Sequence, residues 1–287
     1  MKTVSILFIL LLSGCSANYT TESFVYQDEE PEKQLNITKI QTELAEANLS
    51  AVVSTVSLTS EDGITLRGVK LINKDALVNI VFFSANGMKI SSSSKILNKF
   101  SLLPANVIWF DYRGMGISDK KDKLSLNSLR TDALRIFDFS KAELPENLPT
   151  TIHGLSMGSL IATYVANNKN IDALILDGAI NTVPQLVDNL MPTWSKPFYS
   201  VNLSPELAEI NNVDFIREYN KPLLFLIGEN DSTTPVENSK ALYDISSSLV
   251  KVLAIIPNTE HGETMRKDKA IKAYQDFISK LVCCENG

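Results

Sequence analysis

The sequence predicts a doubly wound, mostly parallel α/β sheet entered through an N-terminal antiparallel hairpin. Three observations carry that prediction. Runs such as ALVNIVFFSA, ANVIWFDYRG and KPLLFLIGEND are apolar at nearly every position, the pattern of parallel strands covered on both faces. Amphipathic segments of helical spacing separate them, and a regular β-α alternation folds as one sheet between two helical layers. Ahead of the alternation, two strand-like runs flank Asp62-Gly63, a hairpin signal because glycine tolerates the positive φ of the turn.

The elements follow in chain order. MKTVSILFILLLSGCS opens with a positive residue, Lys2, then an apolar run from Ile6 to Leu12, then small residues. A membrane-spanning helix needs about 20 apolar residues, so residues 1–14 read as a secretory signal instead. The end of that segment, Leu12-Ser13-Gly14-Cys15, resembles the bacterial lipobox. The resemblance implies acyl chains on the Cys15 thiol, cleavage before it, and acylation of the new amino terminus. Several chains on one residue make a stable anchor, since each buried methylene contributes about 0.8 kcal/mol. The expected location is a bacterial cell envelope. Ser16 is compatible with an outer-membrane position facing the periplasm if the envelope is Gram-negative.

Residues 15–50 read as a polar tether, SANYTTESFVYQDEEPE, in which Phe24, Val25 and Tyr26 are apolar enough to dock. A short helix follows at NITKIQTELAEANL, where Ile37, Ile40, Leu44 and Ala47 share one face. The domain proper spans 51–287. After the hairpin come a strand (ALVNIVFFSA), a helix with serines to cap it (SSSSKILNKFSLL), a strand (ANVIWFDYRG) and a helix (LSLNSLRTDALRIFDFSKA). Then follow PTTIHGL as strand, SMGSLIATYVANN as helix and IDALILDGA as the sixth strand. The chain closes with KPLLFLIGEND, VENSKALYDIS, VKVLAIIPN and DKAIKAYQDFISKLV, strand and helix in turn. Only residues 181–220 break the rhythm. That stretch, with MPTWSKPFY inside it, is longer than a normal connection and reads as a lid-like insertion or a packed helical connection. Its Trp194, Phe198 and Tyr199 either line an apolar pocket or pack the insertion onto the core.

Composition narrows the function. A formal net charge of −6 and the lack of a long basic run argue against a nucleic-acid partner. Three cysteines, two of them the neighbours Cys283 and Cys284, do not make a disulfide framework, and adjacent cysteines close only a strained ring.

Chemistry concentrates at GLSMG, Gly154 to Gly158, which satisfies G-x-S-x-G where a strand meets a helix. A nucleophile elbow needs small residues two positions either side of the serine because the turn crowds neighbouring backbone. Ser156 would then stand at a helix N-terminus, whose dipole favours negative charge. A serine needs a base, and the base an orienting acid. Of the two histidines, His153 lies in the strand before the elbow and points away, a packed structural residue. His261, in PNTEHGE after the last strand, is the candidate base. The acid falls between them in the order Ser, Asp, His. Asp231, in the loop after LLFLIG, is the first choice, Glu229 the neighbouring competitor and Asp177 a weaker one.

With these residues in place the chain, from about Val56 to Val282, resembles the α/β-hydrolase family. The nearest flavour is the monoglyceride-lipase-like, serine-aminopeptidase-like and acyl-thioesterase-like serine hydrolases. The resemblance rests on DYRGMGIS (111–118), HGLSMGS (153–159), GENDSTTP (228–235) and EHG (260–262). It implies the α/β-hydrolase fold and hydrolysis of an ester, thioester or amide of a small acyl substrate through an acyl-enzyme, with no metal or organic cofactor. It also implies backbone oxyanion donors at Asn86 and Met157. One departure stands out: FFSANGM has Ser84-Ala85 where many relatives carry His-Gly. Losing glycine restricts the backbone at Ala85 but leaves the donor in place. The sequence is thus read as a lipid-anchored carboxylic ester or thioester hydrolase. Its alternatives are a catalytically weak or inactive binding protein on this fold and an amide or peptide hydrolase.

Overall fold

The computed structural model describes residues 15–285 except 33, 49 and 122; the expected signal segment, 1–14, lies outside the described residues. In chain order the strands are β1 (Cys15–Tyr19), β2 (Ala51–Thr59), β3 (Thr65–Asn73), β4 (Val78–Phe83) and β5 (Ala105–Phe110). They continue with β6 (Thr150–Leu155), β7 (Ala173–Asp177), β8 (Tyr199–Leu203), β9 (Leu223–Gly228) and β10 (Lys251–Ile256).

Eight of them form one sheet in the order β10-β9-β7-β6-β4-β5-β3-β2. β3 runs antiparallel to both of its neighbours; every other pairing in this sheet is parallel. This is the α/β-hydrolase fold, and the hairpin at Asp62-Gly63 is its antiparallel entry, with Gly63 at φ 88°.

The apolar runs became strands because each one feeds two cores. In β4, Val81 and Phe83 join one core while Ile80 and Phe82 join the other. In β5, Ile108 and Phe110 alternate in the same way with Val107 and Trp109, the period of two that a strand imposes. Helices Leu126–Glu143 and Met157–Asn168 cover the first face through Leu129, Ile136, Ile161 and Val165. Helices Ile37–Ala47 and Asp268–Glu285 cover the second through Ile40, Leu44, Tyr274 and Phe277. Ser125 caps the long helix by accepting from Ser128 N at 3.0 Å. The SSSS run behaves differently. It breaks into two short helices, Ile90–Ser93 and Lys95–Phe100, whose N-caps make no side-chain bond.

From β4 the chain crosses to β5 on one side and returns to β6 on the other. The crevice that this reversal opens, at the carboxyl ends of β4 and β6, is where open α/β sheets bind ligands.

The polar tether expected over 15–50 is instead part of the body. β1 pairs in parallel with β8, Cys15 opposite Tyr199 and Tyr19 opposite Leu203. Val25 is buried in the first core. Asp28 is buried as well, accepting from Gly116 N at 2.7 Å and from Lys89 Nζ at 2.9 Å. Glu32 N donates to Gly116 O at 2.6 Å. The reason is energetic: few apolar residues sit in the segment, but Val25, Ile40 and Leu44 are buried, and the buried Asp28 carboxylate is hydrogen-bonded. The insertion at 181–220 folds as helix Val183–Leu190, β8, and helices Pro205–Ala208 and Asn212–Glu218. Val183, Leu186, Val187 and Leu207 pack with Leu160 and Ile180 in a separate small core, to which Phe24 adds its ring.

Candidate active site

Ser156 sits between β6 and helix Met157–Asn168 at φ 54°, ψ −118°. A side-chain-bearing residue at positive φ is strained, and such strain persists only where the surroundings impose it. Here they do. Ser156 N donates to Asp177 O at 2.8 Å. A Cβ on Gly154 would fall 2.3 Å from Gly158 O, and one on Gly158 would fall 2.0 Å from Phe83 O. The two glycines let strand and helix approach this closely, and the serine is forced outward over the crevice. The residue is 8% exposed.

His261 comes from the loop after β10. Its Nε2 lies 2.8 Å from Ser156 Oγ and its Nδ1 lies 2.7 Å from Asp231 Oδ2. The three side chains proposed from the sequence therefore form one continuous hydrogen-bonded row. Asp231 is fixed by the turn that follows it. Oδ1 accepts from Thr233 N at 2.9 Å and Thr234 N at 2.8 Å, and Oδ2 accepts from Thr234 Oγ1 at 2.9 Å. Burial alone would push this carboxyl up. The hydrogen bonds from His261 and Thr234 outweigh it and hold Asp231 below the usual carboxylate range. It stays an anion, as the orienting partner of a histidine that gains charge must.

The competing acids are placed elsewhere. Glu229 accepts from Asn258 N at 3.1 Å on an exposed turn. Asp177 lies beneath the nucleophile, where Thr264 Oγ1 donates to it and His153 Nε2 stands 3.7 Å away. His153 is fully buried, its ring edge-on to Phe82 and Phe100, so it packs the core as the sequence suggested.

The row opens into a cavity of about 410 Å³, a size ordinary for small-molecule sites of roughly 300–1,000 Å³. Ala85, Asn86, Ser156, Met157 and His261 form its floor. The loop with the Ser84-Ala85 departure is firmly held: Ser84 Oγ donates to Met88 O at 3.2 Å, and Tyr112 Oη donates to Ser84 O at 2.9 Å. Asn86 and Met157 thus face the same space as the nucleophile. Leu186, Val187 and Met191 supply an apolar wall from the insertion, and Ile180, just ahead of it, extends that wall. A larger, open cleft of about 610 Å³ between helices Met157–Asn168 and Asn212–Glu218 contains none of the three row residues.

Two groups of site residues escaped the sequence reading. Thr233 and Thr234 lock the acid; their signal was the Asp-x-Thr-Thr spacing of a side-chain-to-backbone turn. The other wall of the cavity is the N-terminal segment, through Tyr19, Ser23 and Phe24. Asn86 clamps it with both ends of its amide, accepting from Tyr26 N at 2.8 Å and donating to Phe24 O at 2.9 Å. Only the docking of Phe24 to Tyr26 had a sequence signal.

Residues 79–207 match a family model described as the alpha/beta hydrolase fold. The chain is 26% identical over 216 residues to human protein ABHD12B, covering 69% of this chain and 59% of that protein. It is 28% identical over 160 residues to the lysophosphatidylserine lipase ABHD12 of Macaca fascicularis, covering 51% and 39% respectively. Among solved structures, the esterase PF2001 of Pyrococcus furiosus superposes with a TM-score of 0.68 at 18% identity, covering 90% of this chain and 97% of that one.

Proposed function

Because this chain carries the α/β-hydrolase fold, we propose that it is a lipid-anchored serine hydrolase that cleaves a carboxylic ester or thioester through an acyl-enzyme. The observation that carries the reading is the unbroken row from Ser156 Oγ through His261 to Asp231, at 2.8 and 2.7 Å. Those are the separations that general-base activation of a serine requires.

In this reading Ser156 Oγ attacks the acyl carbonyl while its proton passes to His261 Nε2. Asp231 holds Nδ1–H and balances the imidazolium. The oxyanion forms at the N-terminus of helix Met157–Asn168, where the amides of Met157 and Asn86 donate to it and the helix dipole adds to their effect. His261 returns the proton to the departing alcohol or thiol. It then takes one from the water that attacks the acyl-serine and gives it to the departing Ser156 Oγ, which releases the acid and restores the serine. A hydrocarbon-walled cavity beside the nucleophile, together with similarity to a lysophosphatidylserine lipase, supports an ester with a single acyl chain as the substrate class. The anchor at Cys15 rests on the lipobox resemblance, and the envelope location rests on the anchor. Among the described residues no helix is long and apolar enough to cross a membrane.

Incubating the purified protein with a fluorophosphonate probe tests the chemistry: the wild type is labelled and Ser156→Ala is not. An unlabelled wild type, or equal labelling of both, overturns it. Turnover across esters of graded chain length, set beside aminoacyl amides, identifies the acyl group. A rate advantage for the amides would convert the reading to an amide hydrolase.

A further inference from the structure

The stretch between helix Val183–Leu190 and β8 is unusual in what it shows to solvent. Leu190, Trp194 and Phe198 are 57, 77 and 52% exposed, and Tyr199 is exposed beside them. Leu190 and Tyr199 also line the mouth of the cavity that holds Ser156. Between them the chain folds into two tight turns, Ser195 N donating to Pro192 O and Phe198 N to Ser195 O, each at 2.9 Å. The one cation in that stretch, Lys196, is paired with Asp188 at 2.8 Å. The face therefore presents carbon rather than charge. Exposed apolar clusters with a polar surround mark interaction surfaces, and a mix of Trp, Tyr, Phe and Leu suits the boundary between lipid headgroups and acyl chains.

What covers this face is indicated by the other end of the chain. β1 runs beside β8, and its first residue, Cys15, stands opposite Tyr199. Any lipid held at Cys15 therefore enters the bilayer beside Phe198 and Tyr199, within one strand spacing, about 4.8 Å, of the second of them.

We infer that the face formed by Leu190, Trp194, Phe198 and Tyr199 docks on the membrane surface, so that the mouth of the Ser156 cavity opens onto lipid and takes its single-chain substrate from the bilayer. The inference rests on the anchor at Cys15 and deepens the substrate reading. β1 is then more than a leash. It pairs with the strand that ends the docking turn, and the segment after it, clamped by Asn86, walls the cavity. Anchor, docking face and pocket mouth move as one body.

Trp194 makes the inference measurable, because the other tryptophan, Trp109, is fully buried. The lipidated chain, beginning at Cys15, is reconstituted into phosphatidylcholine vesicles, with or without bromine midway along one acyl chain. Flotation reports anchoring, tryptophan quenching reports docking, and fluorophosphonate labelling reports the catalytic row. Docking predicts a blue-shifted Trp194 emission that brominated lipid lowers about twofold or more, as for a ring seated roughly 5–10 Å into the interface. The quenched component disappears in Trp194→Phe, persists in Ser156→Ala, and resists added salt. Trp194→Asp/Phe198→Asp lowers turnover of vesicle-borne monoacylglycerol about tenfold, equal to about 1.4 kcal/mol of lost docking. Turnover of soluble p-nitrophenyl acetate is unchanged. A chain that floats and labels while Trp194 stays unquenched overturns the docking and leaves anchor and chemistry standing. Failure to float overturns docking and anchor together. Protection of Trp194 that grows with protein concentration in the absence of lipid assigns the face to a second copy of the chain and likewise overturns the inference.

Discussion

Gly158→Ala adds a single methyl group, and its consequences can be worked from the elbow. The new Cβ would lie 2.0 Å from Phe83 O, 2.6 Å from Phe83 C and 2.8 Å from Ser84 O. All three are main-chain atoms, so no side chain can swing aside. Ordinary contact begins near 3.4 Å, and the helix must therefore draw back from the end of β4 by about 1.4 Å. That movement separates Met157 on the helix from Asn86 on the loop after β4, the two groups proposed to hold the oxyanion. A misplacement on the order of 1 Å costs roughly 100-fold in rate, or about 2.7 kcal/mol of transition-state stabilisation at 1.36 kcal/mol per decade. Overpacking removes about 1–3 kcal/mol of stability besides. Stopped-flow acylation with p-nitrophenyl acetate should show the loss in the burst rate, with substrate binding little affected, since the hydrocarbon walls come from other elements. A variant that acylates within about threefold of wild type, at an undiminished melting temperature, would refute the claim that this close approach positions the oxyanion site.

Other substitutions test other parts. Asp231→Asn keeps the turn made with Thr233 and Thr234 but presents the wrong partner to His261 Nδ1; kcat should fall by roughly 10⁴ in steady-state assays with the fold unchanged by circular dichroism. Arg113 is buried against Asp132, with bonds of 2.6 and 2.8 Å, and reaches Asp62 at 2.9 Å. Arg113→Met strands the buried Asp132 carboxylate and should remove about 3–5 kcal/mol in urea unfolding, while adding Asp132→Leu should restore much of it. The Asp62 carboxyl is held down at about 2, chiefly by its hydrogen bond from Arg113. Its contribution is therefore full above the unfolded value of about 3.9 and is lost as pH falls from there through about 2. Asp62→Asn should lower the urea midpoint at pH 7, and the gap to wild type should close as the pH falls below about 4.

What the sequence made legible follows from how far each signal reaches. β4, β5, β7 and β9 are apolar at nearly every position because both faces are covered, and a run of that kind can be read without knowing its neighbours. Ser156 and His261 were legible for a different reason: an elbow has steric requirements within five residues, and with two histidines in the chain the base had little competition. Asp231 was separated from Glu229 only by the folded turn, since both follow the same strand and the bonds from Thr233 and Thr234 decide which one faces His261. The N-terminal segment was misread because CSANY is a short strand with no apolar alternation, and its partner lies far along the chain. Asp28 looked like one more tether carboxylate. Its role depends on Gly116 and Lys89, and no local pattern announces either.

β1 also carries a consequence for assembly. Asn18 and Asn202, joined across the β1–β8 pair, are 184 positions apart. The chain's earliest described strand therefore waits for a partner that emerges only after most of the polypeptide has been made. Closing so long a loop is entropically unfavourable, and contacts of this span form late. The main sheet can be complete while the cavity still lacks one side, so the last event of folding gives the pocket its shape and sets Cys15 opposite Tyr199.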